Sequence, residues 1–156
     1  MKTLILLRHA KSSWDFPFDD IDRPLKLKGI NSIIKTAIES AEMFNKSDII
    51  MTSHANRAVH TAIILARETN LGVDKISINY SLYSFSSTMI EKTIRTISNK
   101  YDYITFVGHN PAFTDLINKL SNKKIKNLKT ASWAKISFKE NKWENIGIGK
   151  VSFKTN

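Results

Sequence analysis

The sequence predicts an α/β protein, a three-layer sandwich in which helices cover both faces of a largely parallel, open β-sheet. Three short and mostly apolar runs, at residues 4–7, 48–51 and 103–107, are typical of strands that are buried on both faces. Segments with helical periodicity lie between these runs, and such an alternation favours a parallel sheet. Because 156 residues are enough for one compact domain, we expect a single domain over residues 1–156.

The first three helices are indicated by apolar residues that recur every three or four positions. Residues 30–41 carry one apolar stripe of six isoleucine and alanine positions, and residues 56–69 and 88–98 also look helical. Thr88 and Glu91 are three residues apart, which is the spacing of a capping box. We therefore expect the third helix to begin at Thr88.

The last third of the chain predicts one more helix and two more strands. Asn110 is an N-cap candidate, and Pro111 follows it at the position that proline prefers in the first turn of a helix. Apolar side chains in residues 112–120 then line one face. Two β-like segments, at residues 133–138 and 143–153, indicate a hairpin or an edge pair that closes the sheet.

The amino-acid composition excludes several kinds of site. The chain has no cysteine, which excludes disulfide scaffolds, thiolate metal sites and cysteine nucleophiles. It has four histidines, so only an oxygen and nitrogen metal site remains conceivable, and we expect neither a metal nor a cofactor. Only four apolar residues precede Arg8, too few for a secretory leader or a membrane span, so we expect a cytoplasmic protein with no membrane partner.

The net charge of +10 is compatible with nucleic acid, an anionic membrane surface or an anionic substrate as the partner. The 24 basic residues include 19 lysines spread along the whole chain and are accompanied by 13 asparagines, a combination that compositional drift of a genome also produces. The densest basic run, residues 119–129, lacks the arginine and aromatic interleaving of a nucleic-acid surface. We therefore do not expect a nucleic-acid partner.

Arginine and histidine residues follow each of the three buried strands. Arg8 and His9 come after the first strand, Arg57 lies just beyond the second, and His109 follows the third. Ligands of open α/β sheets bind outside the carboxyl ends of the strands, so we expect these side chains to share one edge of the sheet. Converging cations repel one another unless an anion lies between them, and arginine matches the oxygens of phosphate. The sequence therefore predicts a phosphate site.

Ordered segments of the chain resemble the histidine phosphatase superfamily, which has the phosphoglycerate mutase-like fold. Residues 7–10 (Leu-Arg-His-Ala) resemble its Arg-His-Gly/Ala signature, and residues 22–25 (Asp-Arg-Pro-Leu) with Gly29 resemble a segment of the short phosphohistidine phosphatase branch. The segments around the second arginine, the second histidine and the final loop have counterparts in residues 53–62, 107–111 and 128–132. The resemblance extends over roughly residues 3–153.

The resemblance implies a metal-independent phosphatase that acts through a phosphohistidine intermediate. It makes His9 the nucleophile, while Arg8, Arg57 and His109 hold the phosphoryl oxygens, with His109 kept protonated by the phosphate dianion. The predicted catalytic residues are His9, Arg8, Arg57 and His109. The predicted substrate-binding residues are Arg8, Arg57, His109, Asn110 and Ser53.

A missing general acid favours phosphohistidine on a protein as the substrate. Larger members of the superfamily carry a glutamate between the second arginine and the second histidine, whereas residues 79–84 here contain no carboxylate, and Glu91 lies in a predicted helix. Imidazole leaves from phosphohistidine more easily than an alcohol leaves from an ester, so the loss matters less. The early loop could supply a substitute acid, or could be a solvated surface with Asp22 paired to Arg23. The candidate acids are Asp15, Asp19, Asp20 and Asp22.

Two other functions remain open at this point, and we expect a monomer in each case. One is a phosphomonoesterase for a small phosphorylated metabolite, and the other is a non-catalytic phosphate-binding or nucleic-acid-binding module. His54 and His60 flank Arg57, and we expect them at the surface or behind the site, with no role as metal ligands. The aromatic residues of the early loop could form a lid, form a docking surface or simply pack; they are Trp14, Phe16 and Phe18.

Overall fold

The computed structural model describes residues 1–154 and contains one mixed sheet. Its strands are β1 (Lys2–Arg8), β2 (Ile49–Thr52), β3 (Ile76–Ile78), β4 (Tyr103–Gly108), β5 (Trp133–Phe138) and β6 (Lys150–Lys154). The strand order is β3-β2-β4-β1-β5-β6; the first four are parallel, and β5 and β6 are antiparallel additions at one side. The predicted open, largely parallel sheet is confirmed. The predicted single domain extends to residue 156, and its last two residues lie outside the described residues.

Helices cover both faces of this sheet. They are α1 (Leu27–Glu39), α2 (Ala41–Phe44), α3 (Asn56–Glu68), α4 (Ser87–Arg95) and α5 (Ala112–Leu120). Short 3-10 turns lie at Asp20–Asp22, Val73–Lys75, Tyr80–Leu82 and Trp143–Asn145. Because α1 packs beside α3 and α4 packs beside α5, the molecule has the predicted three layers.

Strand β1 lies at the centre of two apolar cores. Successive side chains of a strand point to opposite faces of the sheet. Accordingly, Leu4 and Leu6 pack into the core under α4 and α5, while Ile5 and Leu7 pack into the core under α1 and α3. All four are fully buried, which explains why this strand has a continuous apolar run and no alternation.

Three local features differ from the sequence predictions. The strand Ile76–Ile78 has no counterpart among the predicted elements, since its three residues are only partly buried or exposed. The apolar stripe predicted through residue 41 is interrupted at Ser40, and Ile38 within it is exposed. The second β-like segment begins with a 3-10 turn, so its strand is confined to Lys150–Lys154.

The start of the third helix also differs from the prediction. Helix α4 begins at Ser87, which places Thr88 inside it and rules out the predicted capping box. The carboxylate of Glu91 instead accepts a hydrogen bond from Arg95 Nη2 at 2.8 Å and pairs with Lys119 Nζ at 2.5 Å. Glu91 therefore ties α4 to α5.

The fourth helix begins later than predicted, and its N-cap residue is Pro111 in place of the predicted Asn110. Helix α5 starts at Ala112, and the peptide bond between Asn110 and Pro111 is cis. The side-chain oxygen of Asn110 accepts hydrogen bonds from the amide and the hydroxyl of Thr114, at 3.3 and 3.1 Å. Asn110 thus satisfies a free donor of the first turn, as an N-cap residue does.

Within residues 1–154, none of the helices has the length and apolar character needed to cross a lipid bilayer.

Gly29 allows α1 to cross directly over the segment that follows β1. A Cβ at this position would collide with the backbone carbonyl oxygen of Lys11, which already accepts a hydrogen bond from Lys26 N at 2.9 Å. We predict that Gly29→Ala lowers the free energy of unfolding by about 1–3 kcal/mol, although alanine is the better helix former. Urea unfolding measures this loss.

Gly147→Ala is the matched control, because the nearest atom to its new Cβ is Glu140 Oε1 at 3.2 Å, the end of a flexible side chain. Equal losses in the free energy of unfolding of the two variants would show that the close approach of α1 to Lys11 does not require a glycine at position 29.

Candidate active site

The carboxyl ends of β1 and β4 place two histidines side by side. The two strands are parallel and in register, with Arg8 opposite Gly108. The amide of His9 donates to the carbonyl of Gly108 at 3.1 Å, which extends the pairing by one residue. The imidazole rings of His9 and His109 consequently lie with their centroids 5.2 Å apart.

Arg57 bridges these two rings from the first turn of α3. Its side chain is 2% exposed. Its Nε donates to His9 Nε2 at 3.4 Å, and its Nη2 lies 3.4 Å from His109 Nδ1. Both imidazoles therefore direct a ring nitrogen towards one guanidinium.

Arg8 completes the group from the end of β1. Its Nη1 donates to the carbonyl of Leu128 at 2.9 Å and lies 3.5 Å from Asn127 Oδ1. Its Nε is buried and has no hydrogen-bond partner among the described residues. The structure thus brings the four predicted catalytic residues, His9, Arg8, Arg57 and His109, to one pocket of about 330 Å³.

His9 is a neutral imidazole that lines the pocket and keeps its lone pair on Nε2. Its Nδ1 lies 2.7 Å from the carbonyl oxygen of Ala10, so Nδ1 carries the proton and Nε2 keeps a lone pair. Burial lowers the pKa of His9 to about 4, with a further contribution from nearby arginine charges. The carbonyl of Ala10 acts in the opposite direction and does not outweigh burial. His9 can therefore act as a nucleophile at neutral pH without a separate base.

His109 is also neutral in the structure. Burial lowers its pKa to about 3, helped by repulsion from His9 when that ring is protonated and from the charge of Arg57. Its Nε2 lies 2.7 Å from Ser53 Oγ, so the nitrogen next to Arg57 is Nδ1. The imidazolium form implied by the superfamily resemblance would require a bound anion to raise this pKa.

Ser53 and Asn110, both predicted to bind substrate, occupy different positions. Ser53 is fully buried and its hydroxyl contacts His109, so the geometry gives it a positioning role through that ring. Asn110 lines the pocket, and its Nδ2 donates to Asn127 Oδ1 at 2.7 Å and to the Leu128 carbonyl at 2.9 Å. A direct contact between Asn110 and substrate stays a prediction.

Among the four candidate acids of the early loop, Asp20 is the one that lines the pocket. Its Oδ2 accepts hydrogen bonds from Arg57 Nη2 at 2.9 Å and from Tyr83 Oη at 2.6 Å, and its Oδ1 accepts from Arg23 Nε at 3.2 Å. Burial alone would raise the pKa of Asp20, but the hydrogen bonds from Tyr83 and Arg57 and the arginine charges lower it to about 2. Asp20 is therefore an anion and a countercharge, and it holds no proton to donate at neutral pH.

The pairing predicted between Asp22 and Arg23 was wrong. The 3-10 turn Asp20–Asp22 brings a residue next to the one three positions later, so Arg23 pairs with Asp20. Asp19 and Asp22 are exposed, and Asp15 pairs with Lys26 at 3.2 Å.

Sequence reasoning missed two aromatic residues that contribute to the site. Tyr83 donates its hydroxyl to Asp20, and its ring centroid lies 5.3 Å from that of His109. Phe85 lines the pocket with its ring centroid 6.2 Å from His109. The only signal in the sequence was the absence of the expected carboxylate, because both residues lie in or beside the segment where it is missing.

The loop that precedes β5 is hydrogen-bonded to the backbone of Arg8 and His9. The amide of Ala131 lies 3.1 Å from the carbonyl of Arg8 and 3.3 Å from that of His9. Ala131 has a φ of 55°, a left-handed conformation that costs a residue with a Cβ some energy. The hydroxyl of Thr36 donates to the carbonyl of Ala131 at 2.9 Å and helps to fix it.

The two histidines that flank Arg57 in the sequence lie apart from the four predicted catalytic residues. His60 is exposed on α3, while the ring of His54 packs against Tyr80 with centroids 4.5 Å apart. Among residues 1–154, no group of three or more histidine or carboxylate side chains converges closely enough to hold a metal ion.

The lowered histidine pKa values predict that stability falls in mild acid. An unfolded histidine has a pKa of about 6.5, so the unfolded chain takes up protons first as the pH falls. The free energy of unfolding should therefore decrease between pH ~6.5 and pH ~4, by about 3 kcal/mol for His109 alone. Urea unfolding at several pH values measures the slope.

His109→Asn should flatten this pH dependence, whereas His60→Asn, which changes an exposed histidine, should not. A slope that persists unchanged in His109→Asn would contradict the assignment of His109 as a buried neutral group.

Comparison with known proteins places this geometry in a family. No protein-family model matches the sequence. The chain is 30% identical over 153 residues to an uncharacterised chloroplastic protein of Arabidopsis thaliana, and the match covers 92% of this chain and 69% of that protein.

Solved structures share its fold at lower identity. The protein histidine phosphatase SixA in complex with tungstate superimposes with a TM-score of 0.80 at 16% identity, covering 97% of this chain and 94% of the other. A protein proposed to be the phosphohistidine phosphatase SixA of Agrobacterium tumefaciens gives 0.76 at 23% identity, covering 88% and 92%. The mycobacterial glucosyl-3-phosphoglycerate phosphatase gives 0.69 at 14% identity, covering 99% and 98%. The chain therefore has the phosphoglycerate mutase-like fold of the histidine phosphatase superfamily, and it belongs to the same family as the Arabidopsis protein.

Proposed function

We propose that this chain is a phosphatase that works through a phosphohistidine intermediate on His9 and removes phosphate from phosphohistidine on a protein. The observation that carries the proposal is the state of His9. It is a neutral imidazole that lines the pocket, and its Nε2 lone pair accepts a hydrogen bond from the Nε of Arg57 at 3.4 Å, which is given up when Nε2 attacks. A nucleophile next to a fixed guanidinium is the arrangement that phosphoryl transfer needs.

In the first step, His9 Nε2 attacks the phosphorus in line with the bond to the leaving nitrogen. The new bond forms between phosphorus and Nε2, and the bond between phosphorus and the substrate nitrogen breaks, with its electron pair going to that nitrogen. The substrate ring carries a proton on its other nitrogen and therefore leaves as neutral imidazole. The His9 ring becomes positively charged in this step. The carbonyl of Ala10, which accepts the Nδ1 hydrogen at 2.7 Å, stabilises that charge.

In the second step, water attacks the phosphorus and the bond to His9 Nε2 breaks, which releases inorganic phosphate and restores neutral His9. The phosphoryl oxygens carry negative charge in both steps. Arg57 and Arg8 lie beside them, and a proton on His109 Nδ1, gained with the anion, would make that ring a further donor.

The groups around the pocket favour a leaving group that departs without an acid. Asp20 is deprotonated, and the hydrogen bond from Tyr83 to Asp20 raises the pKa of the Tyr83 hydroxyl and directs its hydrogen to that carboxylate. Loss of a general acid costs on the order of 10²–10⁴ in the rate of a reaction that needs one. An ester needs one because its alcohol leaves poorly, whereas the imidazole of phosphohistidine leaves readily.

A second candidate is a phosphatase for a small phosphorylated metabolite. The solved phosphatase named for glucosyl-3-phosphoglycerate shares this fold, which favours that alternative. A non-catalytic phosphate-binding module leaves the orientation of His9 unexplained. The cytoplasmic location and the monomeric state stay predictions from the sequence.

The deciding experiment is single-turnover release of phosphate from a phosphohistidine protein and from an aryl phosphate. We expect rapid release from phosphohistidine and slow release from the ester, both lost in His9→Ala. The matched control is His60→Ala, which removes an exposed histidine of α3 and should retain full activity. Asp20→Asn should leave the ratio of the two rates unchanged, since Asp20 is not an acid.

Faster cleavage of the ester would favour the metabolite phosphatase, and a selective loss of ester cleavage in Asp20→Asn would identify Asp20 as its acid. No release that depends on His9 from either substrate would contradict the proposed function.

Binding of an oxyanion should be coupled to uptake of a proton. The pKa of free His109 is about 3, and a dianion next to Nδ1 raises it. We predict that tungstate, a dianion at neutral pH, binds with proton uptake, and that His109→Gln abolishes this uptake. Titration calorimetry in buffers of different ionisation enthalpy measures it. A binding enthalpy that does not depend on the buffer would mean that His109 stays neutral in the complex.

A further inference from the structure

Two aromatic side chains line the pocket and yet leave much of their surface exposed. Trp14 is 73% exposed and Phe85 is 56% exposed. They come from separate segments, the loop that follows β1 and the loop that precedes α4. Their combination of exposure and pocket lining places them at its mouth.

Each of these rings is held against a polar group of the site. The ring centroid of Trp14 lies 3.4 Å from Cζ of Arg23, a side chain that is 7% exposed and paired with Asp20. The ring of Phe85 meets His109 and Tyr83 with centroid distances of 6.2 and 6.1 Å. Both aromatic rings therefore lie against side chains that line the pocket, Arg23 and His109.

The geometry of phosphoryl transfer directs the leaving group towards these rings. His9 is 7% exposed and lies at the floor of the pocket. An in-line attack by its Nε2 places the leaving atom on the far side of the phosphorus, which is the side of the mouth. Whatever group carries the phosphate therefore passes next to Trp14 and Phe85.

We infer that Trp14 and Phe85 form a ring subsite that binds a planar leaving group directly attached to phosphorus, namely the imidazole of phosphohistidine. The inference rests on the proposed function and extends it to the residues that select the substrate. Aromatic rings gain stacking or edge contacts on top of burial, which a small alkyl group cannot match. The ring subsite thus selects for the kind of leaving group that departs without an acid.

The neighbouring aromatic residues provide a matched control. Phe16 and Phe18 belong to the same early loop and are 62% and 48% exposed. Their rings pack against each other, with centroids 5.6 Å apart, and neither residue is among those that line the pocket. A variant of Phe16 therefore removes an exposed aromatic ring without touching the ring subsite.

The test uses phosphonates, whose phosphorus–carbon bond a phosphatase of this kind does not cleave. Phenylphosphonate and methylphosphonate share the anionic group and differ in the attached ring. Their dissociation constants are measured by calorimetry for the wild type and for the variants Trp14→Leu, Phe85→Leu and Phe16→Leu. Trp14→Phe tests for partial rescue by another ring.

We expect the wild type to bind phenylphosphonate about tenfold more tightly than methylphosphonate. Trp14→Leu and Phe85→Leu should each reduce this ratio by about threefold or more, while Phe16→Leu leaves it unchanged. Trp14→Phe should restore part of the ratio.

Three outcomes would overturn the ring subsite: no preference in the wild type, an equal loss of affinity for both phosphonates in Trp14→Leu and Phe85→Leu, or a reduced ratio in Phe16→Leu. An equal loss would mean that Trp14 only positions Arg23. Because these measurements need no turnover, the ring subsite can fail while the phosphatase activity stands. The reverse result is a preference for phenylphosphonate without any turnover that depends on His9. It would support the ring subsite and contradict the proposed function.

Discussion

The ion pair between Asp20 and Arg57 is the interaction on which the candidate site depends. Arg57 is 2% exposed, and a buried guanidinium without a countercharge would be strongly destabilising. Asp20 supplies that charge at 2.9 Å and at the same time binds Arg23 and Tyr83. One carboxylate of a short turn therefore fixes two arginines and a tyrosine around the pocket.

The burial that makes this ion pair necessary also sets the state of the two histidines. A protonated imidazole would meet Arg57 as a like charge in a poorly solvated place, so both rings lose their protons. As neutral groups they accept hydrogen bonds from Arg57 and do not repel it. A phosphate dianion changes this balance, because it adds the negative charge that one carboxylate cannot supply for three arginines.

The edge of the sheet that carries the candidate site could be predicted from the sequence, whereas its side-chain network could not. Arg8, His9 and His109 follow buried strands, and parallel strands bring their carboxyl ends together whatever the details of packing. The choice of Asp20 was not predictable, because four aspartates share an exposed loop without periodicity and a 3-10 turn decides which of them faces Arg23. The short strand β3 was missed because its three residues lack both alternation and an apolar run.

Residues 79–84 contain no carboxylate, and Tyr83 lies among them. The hydroxyl of Tyr83 donates to Asp20, which raises its pKa, so its hydrogen is directed to a carboxylate and away from any leaving group. A proton taken up with a bound anion would go to Nδ1 of His109, the ring nitrogen that lies 3.4 Å from Arg57 Nη2. Such a site stabilises charge on the transferred group but gives little help to the departing atom. A substrate whose leaving group needs no such help suits it best, and the exposed rings of Trp14 and Phe85 lie where that group would depart.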